Sequence, residues 1–205
     1  MSILPKVTTL INSISNEKFS RERKKLLQVL IDYIKKKQAA EEEVHLNFIC
    51  THNSRRSQFA QIWAIIAANY YGIDVSCYSG GTEVTSFNER AVESLKRSGL
   101  IIFHEGDQNP TYSITYSEDS AAIEAYSKLY DASANPTTEF AAVMTCSDAD
   151  ANCPFIPGAK KRIPLHYEDP KEFDESPEEE TMYDERSKQI ASEMFYVFSQ
   201  INDNK

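Results

Sequence analysis

Segments of strand character alternate with segments of helical period along most of this chain, and that alternation leaves few folds open. VHLNFI, residues 44–49, is apolar enough for a buried strand. After it, Phe59, Ile62, Trp63, Ile66 and Tyr70 recur at helical spacing, which predicts a core-facing helix starting near Ser57. IDVSCYS, 73–79, predicts a second strand with a turn at Gly80 and Gly81. Asn88 is a helix cap for ERAVESLKRS, which stops at Gly99. EFAAVMT, 139–145, and RIPLHY, 162–167, predict a third and a fourth strand. A last helix is expected from about Glu178 to Ile201, with Met182, Ile190, Met194, Phe195, Val197 and Phe198 as its apolar residues. Strands separated by helices pair in parallel and carry helices on both faces. The expected class is therefore α/β, a four-stranded parallel sheet flanked by helices.

Two regions lie outside that alternation. Residues 20–40 read as an amphipathic helix in which Leu26, Leu27, Leu30, Ile31 and Ile34 share a face. Residues 1–43 are thus expected to form a helical extension packed on a domain of residues 44–205. Residues 104–138 read as an insertion, in which TYSITYS alternates like an edge strand. The acidic residues from Glu168 to Glu185 are expected to be a solvated surface loop.

Composition narrows the function. A chain of 205 residues suits one domain with a real core. Lys and Arg number 22 against 31 Asp and Glu, which argues against a nucleic-acid partner. No apolar run is long enough to span a membrane, and the N-terminus does not read as a signal peptide. The expected location is cytoplasmic, where four cysteines serve as thiols rather than as a disulfide frame.

Cys50, Cys146 and Asp169 each follow a predicted strand, at the sheet edge where open parallel sheets bind ligands. FICTHNSRRSQ, 48–58, has the form C-x5-R-S between a strand and a helix. The loop Thr51, His52, Asn53, Ser54, Arg55, Arg56 and Ser57 can wrap with its N–H groups inward, beside the positive end of the helix. Such a nest holds a tetrahedral oxyanion. Arg56 can fork onto two of its oxygens. The same field favours the thiolate of Cys50, and Ser57 can donate a hydrogen bond to the sulfur. Asn53 tolerates left-handed backbone and can brace the loop. Cys77 has the phase of an inert core residue, and His166 reads as structural. Cys146 and Cys153, in CSDADANCP, have no ligand spacing for zinc, so no metal and no cofactor are expected.

These residues resemble a known superfamily. ICTHNSRRS is similar to the cysteine loop of the low-molecular-weight protein tyrosine phosphatases and of the thioredoxin-linked arsenate reductases. CSDADANCP, 146–154, resembles the redox segment of the reductases. YSGGTE, NERAVESLKRSGL and the Asp-Pro of HYEDP resemble other family segments. The likeness covers about residues 44–103 and 139–200. It implies reduction of arsenate by Cys50 as nucleophile, with Asp169 as proton donor. A disulfide would pass from Cys50–Cys146 to Cys146–Cys153, and thioredoxin or another dithiol would restore the thiols. The alternative is a phosphatase that acts on phosphotyrosine or a small phosphoester through Cys50, Arg56 and Asp169 alone, and the Cys146/Cys153 pair favours the reductase. A noncatalytic oxyanion-binding or arsenic-sensing module is the third reading. His52 stands where the family usually has Gly, and Arg55 where relatives often have a second loop cysteine. Gln61 stands where some relatives use a Glu to bind potassium, so no potassium site is expected.

Overall fold

A computed structural model of the chain describes residues 2–152 and 155–201. Helices α1 (Pro5–Ile14) and α2 (Arg21–Ala39) precede the first strand, β1 (His45–Cys50). Then come α3 (Arg56–Tyr71), β2 (Ser76–Gly81) and α4 (Glu89–Arg97). Three short strands follow, β3 (Ile101–Glu105), β4 (Thr111–Thr115) and β5 (Ile123–Ala125). The chain closes with β6 (Phe140–Met144), α5 (Ser147–Asn152), β7 (Ala159–Pro164), a 3-10 turn (Pro170–Phe173) and α6 (Glu179–Ser199).

Four strands form the central sheet in the order β2-β1-β6-β7, all parallel. The expected fold class is therefore the observed one. β1 and β6 are almost wholly buried, as strands covered on both faces must be. The main core gathers Phe48, Phe59, Trp63, Tyr183 and Phe198 with Leu27, Leu30, Ile31 and Ile34 of α2. α3 packs chiefly on α6, and the Trp63 indole N–H donates to Ser187 Oγ at 3.0 Å, which satisfies its one polar group. α1 and α2 also pack on α6, and α2 reaches β7. A smaller apolar cluster holds Ile49, Cys50, Phe140, Ala142, Met144, Cys146, Ala149 and Ile156. No helix among the described residues is long and apolar enough to cross a membrane.

Several expectations shift. The second strand starts three residues later than IDVSCYS and runs through Gly81, so Gly80 and Gly81 lie inside β2 instead of forming a turn. Ladder pairing with β1 outweighs the local turn preference of the glycine pair, and its register runs to Cys50 opposite Gly81. The fourth strand ends at Pro164 rather than at Tyr167. Leu26 is 36 % exposed and stands outside the buried face of α2. The 104–138 region holds β4 and β5, which with β3 make an antiparallel sheet in the order β3-β4-β5. The chain then returns beside β2: Gly81 N donates to Lys128 O at 2.8 Å and Tyr130 N to Gly81 O at 2.9 Å. The acidic stretch is more than a solvated loop. Asp174, Glu179 and Asp184 pair with Arg55, Arg90 and Arg97.

Gly80 shows how tightly that return is built. A Cβ there would lie 2.2 Å from Tyr130 Cα and 2.6 Å from its N, both backbone atoms that cannot swing aside. Gly80→Ala is expected to cost about 1–3 kcal/mol, the usual range for overpacking. A fall of several degrees in Tm, read by scanning calorimetry, checks it. An unchanged Tm would mean that segment 126–130 is not seated on β2 in this way.

Candidate active site

The loop after β1 is held by its carbonyls. Cys50 O accepts from Thr82 N (3.2 Å) and Thr51 O from Glu83 N (2.8 Å). His52 O accepts from Ser127 Oγ (2.9 Å), and Asn53 O from Gln58 Nε2 (3.0 Å). Ser54 O accepts from Asn88 N (3.0 Å), and Arg55 O from Phe59 N (2.9 Å). Every carbonyl from Cys50 to Arg55 is thus spent on surrounding structure. Among the described residues, none of the N–H groups from His52 to Arg56 has a protein acceptor. Backbone donors seldom stay unused, so a run of them facing away from the pinned carbonyls forms a nest for an anion. The first turn of α3 continues the set.

The thiol sits at the base of this loop. Cys50 Sγ lies 3.0 Å from Ser57 Oγ, and Asn53 Nδ2 donates to the same Ser57 Oγ at 2.9 Å. A thiolate at Cys50 has no proton to give, so in that state the Ser57 hydroxyl donates to the sulfur. Asn53 is the left-handed residue of the loop (φ 48°), and His52 is not. Its Oδ1 accepts from Lys128 N at 3.0 Å, so one buried side chain fixes the loop's turn, the Ser57 hydroxyl and the inserted segment together. Burial pushes the Lys128 ammonium down to about 8 from an ordinary 10.5. That ammonium lies 4.5 Å from the centre of the Tyr126 ring.

The two loop arginines diverge. Arg56 Nη1 donates to Tyr167 O (3.0 Å) and its Nη2 meets Asp169 Oδ2 at 2.6 Å. Asp169 Oδ1 in turn caps the 3-10 turn through Lys171 N at 3.1 Å. Asp169 is brought here because backbone pairing outlasts β7: Leu165 N donates to Met144 O and Tyr167 N to Thr145 O. Arg55 instead donates from Nε to Tyr183 Oη at 2.8 Å and stands 3.7 Å from Asp174. Its side-chain charge is therefore met by α6 and the acidic stretch, while its backbone N–H stays with the loop. His52 pairs at 3.3 Å with Glu83 on the half-exposed rim.

Cys146 is fully buried in the same small cluster as Cys50. The residues just before the two thiols are locked together, since Thr145 N (2.7 Å) and Thr145 Oγ1 (2.9 Å) both donate to Ile49 O. Cys146 Sγ lies 3.6 Å from Thr51 Oγ1, beside Cys50, and accepts from Ala149 N at 3.4 Å. The residues after Cys146 form the short helix α5. Asp150 clasps it to Arg162 (2.7 Å) and His166 (3.0 Å), which gives His166 a structural partner. Cys153 lies outside the described residues. Cys77 is buried on β2, and burial pushes its thiol far up, so it stays protonated. Gln61 spends its amide on Ser79 (2.5 Å) and on Cys77 O (3.4 Å).

Sequence reasoning missed Lys128 and Tyr167 because they act through their own backbone atoms, and Ser127 because its hydroxyl meets a loop carbonyl 75 residues away.

A thiol in a strand-loop-helix nest, with a loop arginine and an aspartate from a neighbouring strand end, defines a cysteine-dependent enzyme of the low-molecular-weight phosphatase fold. Solved structures agree on the fold. A low-molecular-weight phosphotyrosine phosphatase from Vibrio cholerae matches with TM-score 0.52 at 13 % identity, over 78 % of this chain and 97 % of that one. A low-molecular-weight protein tyrosine phosphatase from T. tengcongensis matches with TM-score 0.51 at 16 % identity, over 77 % and 99 %. No protein-family model matches the chain. Among curated proteins, arsenate reductase 2 of Staphylococcus epidermidis is 31 % identical over 123 residues, 60 % of this chain and 76 % of the relative. Arsenate reductase 1 of Staphylococcus saprophyticus is 34 % identical over 130 residues, 62 % and 81 %. The chain belongs to the arsenate reductase family, and its fold is that of the low-molecular-weight phosphatases.

The Ser57 hydrogen bond generates a direct expectation. A bond to a charged acceptor is worth about 1.5–3 kcal/mol, or roughly tenfold and more in an equilibrium. Ser57→Ala should slow alkylation of Cys50 by iodoacetamide at neutral pH about tenfold, measured in a Cys77→Ser, Cys146→Ser, Cys153→Ser background. An unchanged rate would detach Ser57 from the Cys50 thiol.

Proposed function

We propose that this protein reduces arsenate to arsenite. Arsenate has the shape and charge of phosphate and enters the nest formed by residues 51–57. The Cys50 thiolate attacks arsenic, forming a sulfur–arsenic bond as an oxygen departs. The arriving oxyanion competes with Asp169 for the Arg56 fork. The Asp169 carboxyl, left beside the departing oxygen, supplies its proton. Cys146 then attacks the Cys50 sulfur. The sulfur–arsenic bond breaks toward arsenic, which keeps the electron pair and leaves as arsenite. Two thiolates have given two electrons and become a Cys50–Cys146 disulfide. Cys153 attacks Cys146 and moves the disulfide to Cys146–Cys153. An external dithiol protein of the thioredoxin type then reduces it. Such a relay suits the reducing cytoplasm.

The observation that carries this reading is the place of Cys146. A phosphatase needs Cys50, Arg56 and Asp169, followed by water. It has no use for a second thiol fully buried in the nucleophile's cluster and tied to its strand through Thr145 and Ile49. α5 must loosen for the exchange, since Cys146 begins fully buried and Asp150 holds the helix down.

NADPH consumption with arsenate, thioredoxin and thioredoxin reductase tests the proposal. Wild type and Cys77→Ser should turn over at similar rates, while Cys50→Ser, Cys146→Ser and Cys153→Ser should each lose activity by about three orders of magnitude or more. Arsenate-independent NADPH use, or full activity in Cys146→Ser, would sink the relay. Phosphoester hydrolysis surviving in Cys146→Ser without any arsenate turnover in wild type would favour the phosphatase.

A further inference from the structure

Helix α2 of the N-terminal extension reaches the site through Arg23. From the first turn of α2, its Nε and Nη2 fork onto the two carboxylate oxygens of Glu193 in α6, both at 2.7 Å. Glu193 is buried, and the Tyr167 hydroxyl donates to it at 2.8 Å. Burial pushes that hydroxyl well up from its ordinary range, so it stays a neutral donor. The Arg23 guanidinium also lies over the Tyr167 ring, 4.7 Å from its centre. Its remaining arm, Nη1, donates to His166 O at 3.0 Å.

The next carbonyl along, Tyr167 O, is the one that Arg56 Nη1 holds at 3.0 Å. Two successive carbonyls therefore each receive an arginine, one from the N-terminal helix and one from the oxyanion loop. Two residues further on, Asp169 takes the other arm of Arg56. A buried ion pair is weak evidence of stability, because an apolar replacement often serves as well. A fork that also supplies a third, directed N–H beside the acceptor of a site arginine has a use that an apolar pair would not.

We propose that Arg23 is a positioning residue: from the N-terminal helix it fixes the His166–Tyr167 backbone that aims Arg56 and Asp169 at the oxyanion loop. The inference rests on the reading of Arg56 and Asp169 as oxyanion grip and proton donor. It makes the N-terminal helix part of the catalytic apparatus, although the family likeness starts only after it. Arg23 acts through the backbone and the Tyr167 side chain and touches no reacting atom.

The test is a double-mutant cycle on the full chain. kcat/KM for arsenate is measured for wild type, Arg23→Met, Asp169→Asn and the double variant, and the affinity for inorganic phosphate is measured by calorimetry on the same proteins. A small misplacement of the reacting groups is costly, so Arg23→Met should lower kcat/KM about tenfold or more. It should lower it little further once Asp169 is already Asn, since coupled residues do not add. Arg23→Lys, which restores the charge without the fork, should recover part of the loss. An equal loss in the Asp169→Asn background, or no loss in Arg23→Met, overturns the proposal. If Arg23→Met leaves Glu193 unpaired and the chain fails to fold, Arg23→Met with Glu193→Gln replaces it in the cycle, with the same two outcomes. If wild type reduces no arsenate, the phosphate arm decides alone. About tenfold weaker binding in Arg23→Met supports positioning, and unchanged affinity overturns it.

Discussion

The site depends on where the loop's carbonyls go. From Cys50 to Arg55 each one is taken by a donor outside the loop: backbone of the 82–88 segment, Gln58 and Phe59 of α3, and Ser127 of the insertion. A peptide whose oxygen is held outward turns its N–H the other way. The nest is thus made by its surroundings and does not rely on an anion to shape it. That is preorganisation in the useful sense, since the donors need not be gathered at the moment of reaction.

Much of the remaining architecture can be understood as supporting that arrangement. The inserted segment 126–130 lies against Gly81, gives Ser127 to the loop and a backbone N–H to Asn53, and is anchored by Asn135 through Ser79, Leu129 and Tyr130 carbonyls. The backbone beyond β7 carries Asp169 to the loop from the other side. α6 supplies Tyr183 to draw off Arg55, which leaves Arg56 as the loop cation facing Asp169. That pair keeps a part-buried guanidinium satisfied. In the proposed mechanism the oxyanion displaces it, which links binding to the release of Asp169.

What the sequence disclosed was local. The C-x5-R-S spacing, the left-handed tolerance of Asn53 and the reach of Ser57 to the sulfur are all matters of a few residues, and each has its counterpart in the structure. The strand-helix alternation was legible for the same reason. α1 was not, because Leu4 gives it no side-chain cap and its threonines have no strong helical preference. The fate of Arg55 was hidden, since its partners lie in an acidic stretch that looked merely solvated. Arg23 and Glu193 are 170 residues apart, and nothing in either neighbourhood announces a buried pair. The glycines of β2 misled because a Gly pair favours a turn until parallel pairing and the passage of Tyr130 demand the space.

In the proposed relay Cys50 hands its oxidation to Cys146 and then to Cys153. The most direct measurement is peptide mapping of disulfides after one turnover with arsenate and no external reductant. Wild type should yield a Cys146–Cys153 disulfide with Cys50 and Cys77 free, and Cys153→Ser should trap a Cys50–Cys146 disulfide. Arsenite formed with all four thiols still free, or a disulfide through Cys77, would contradict the account.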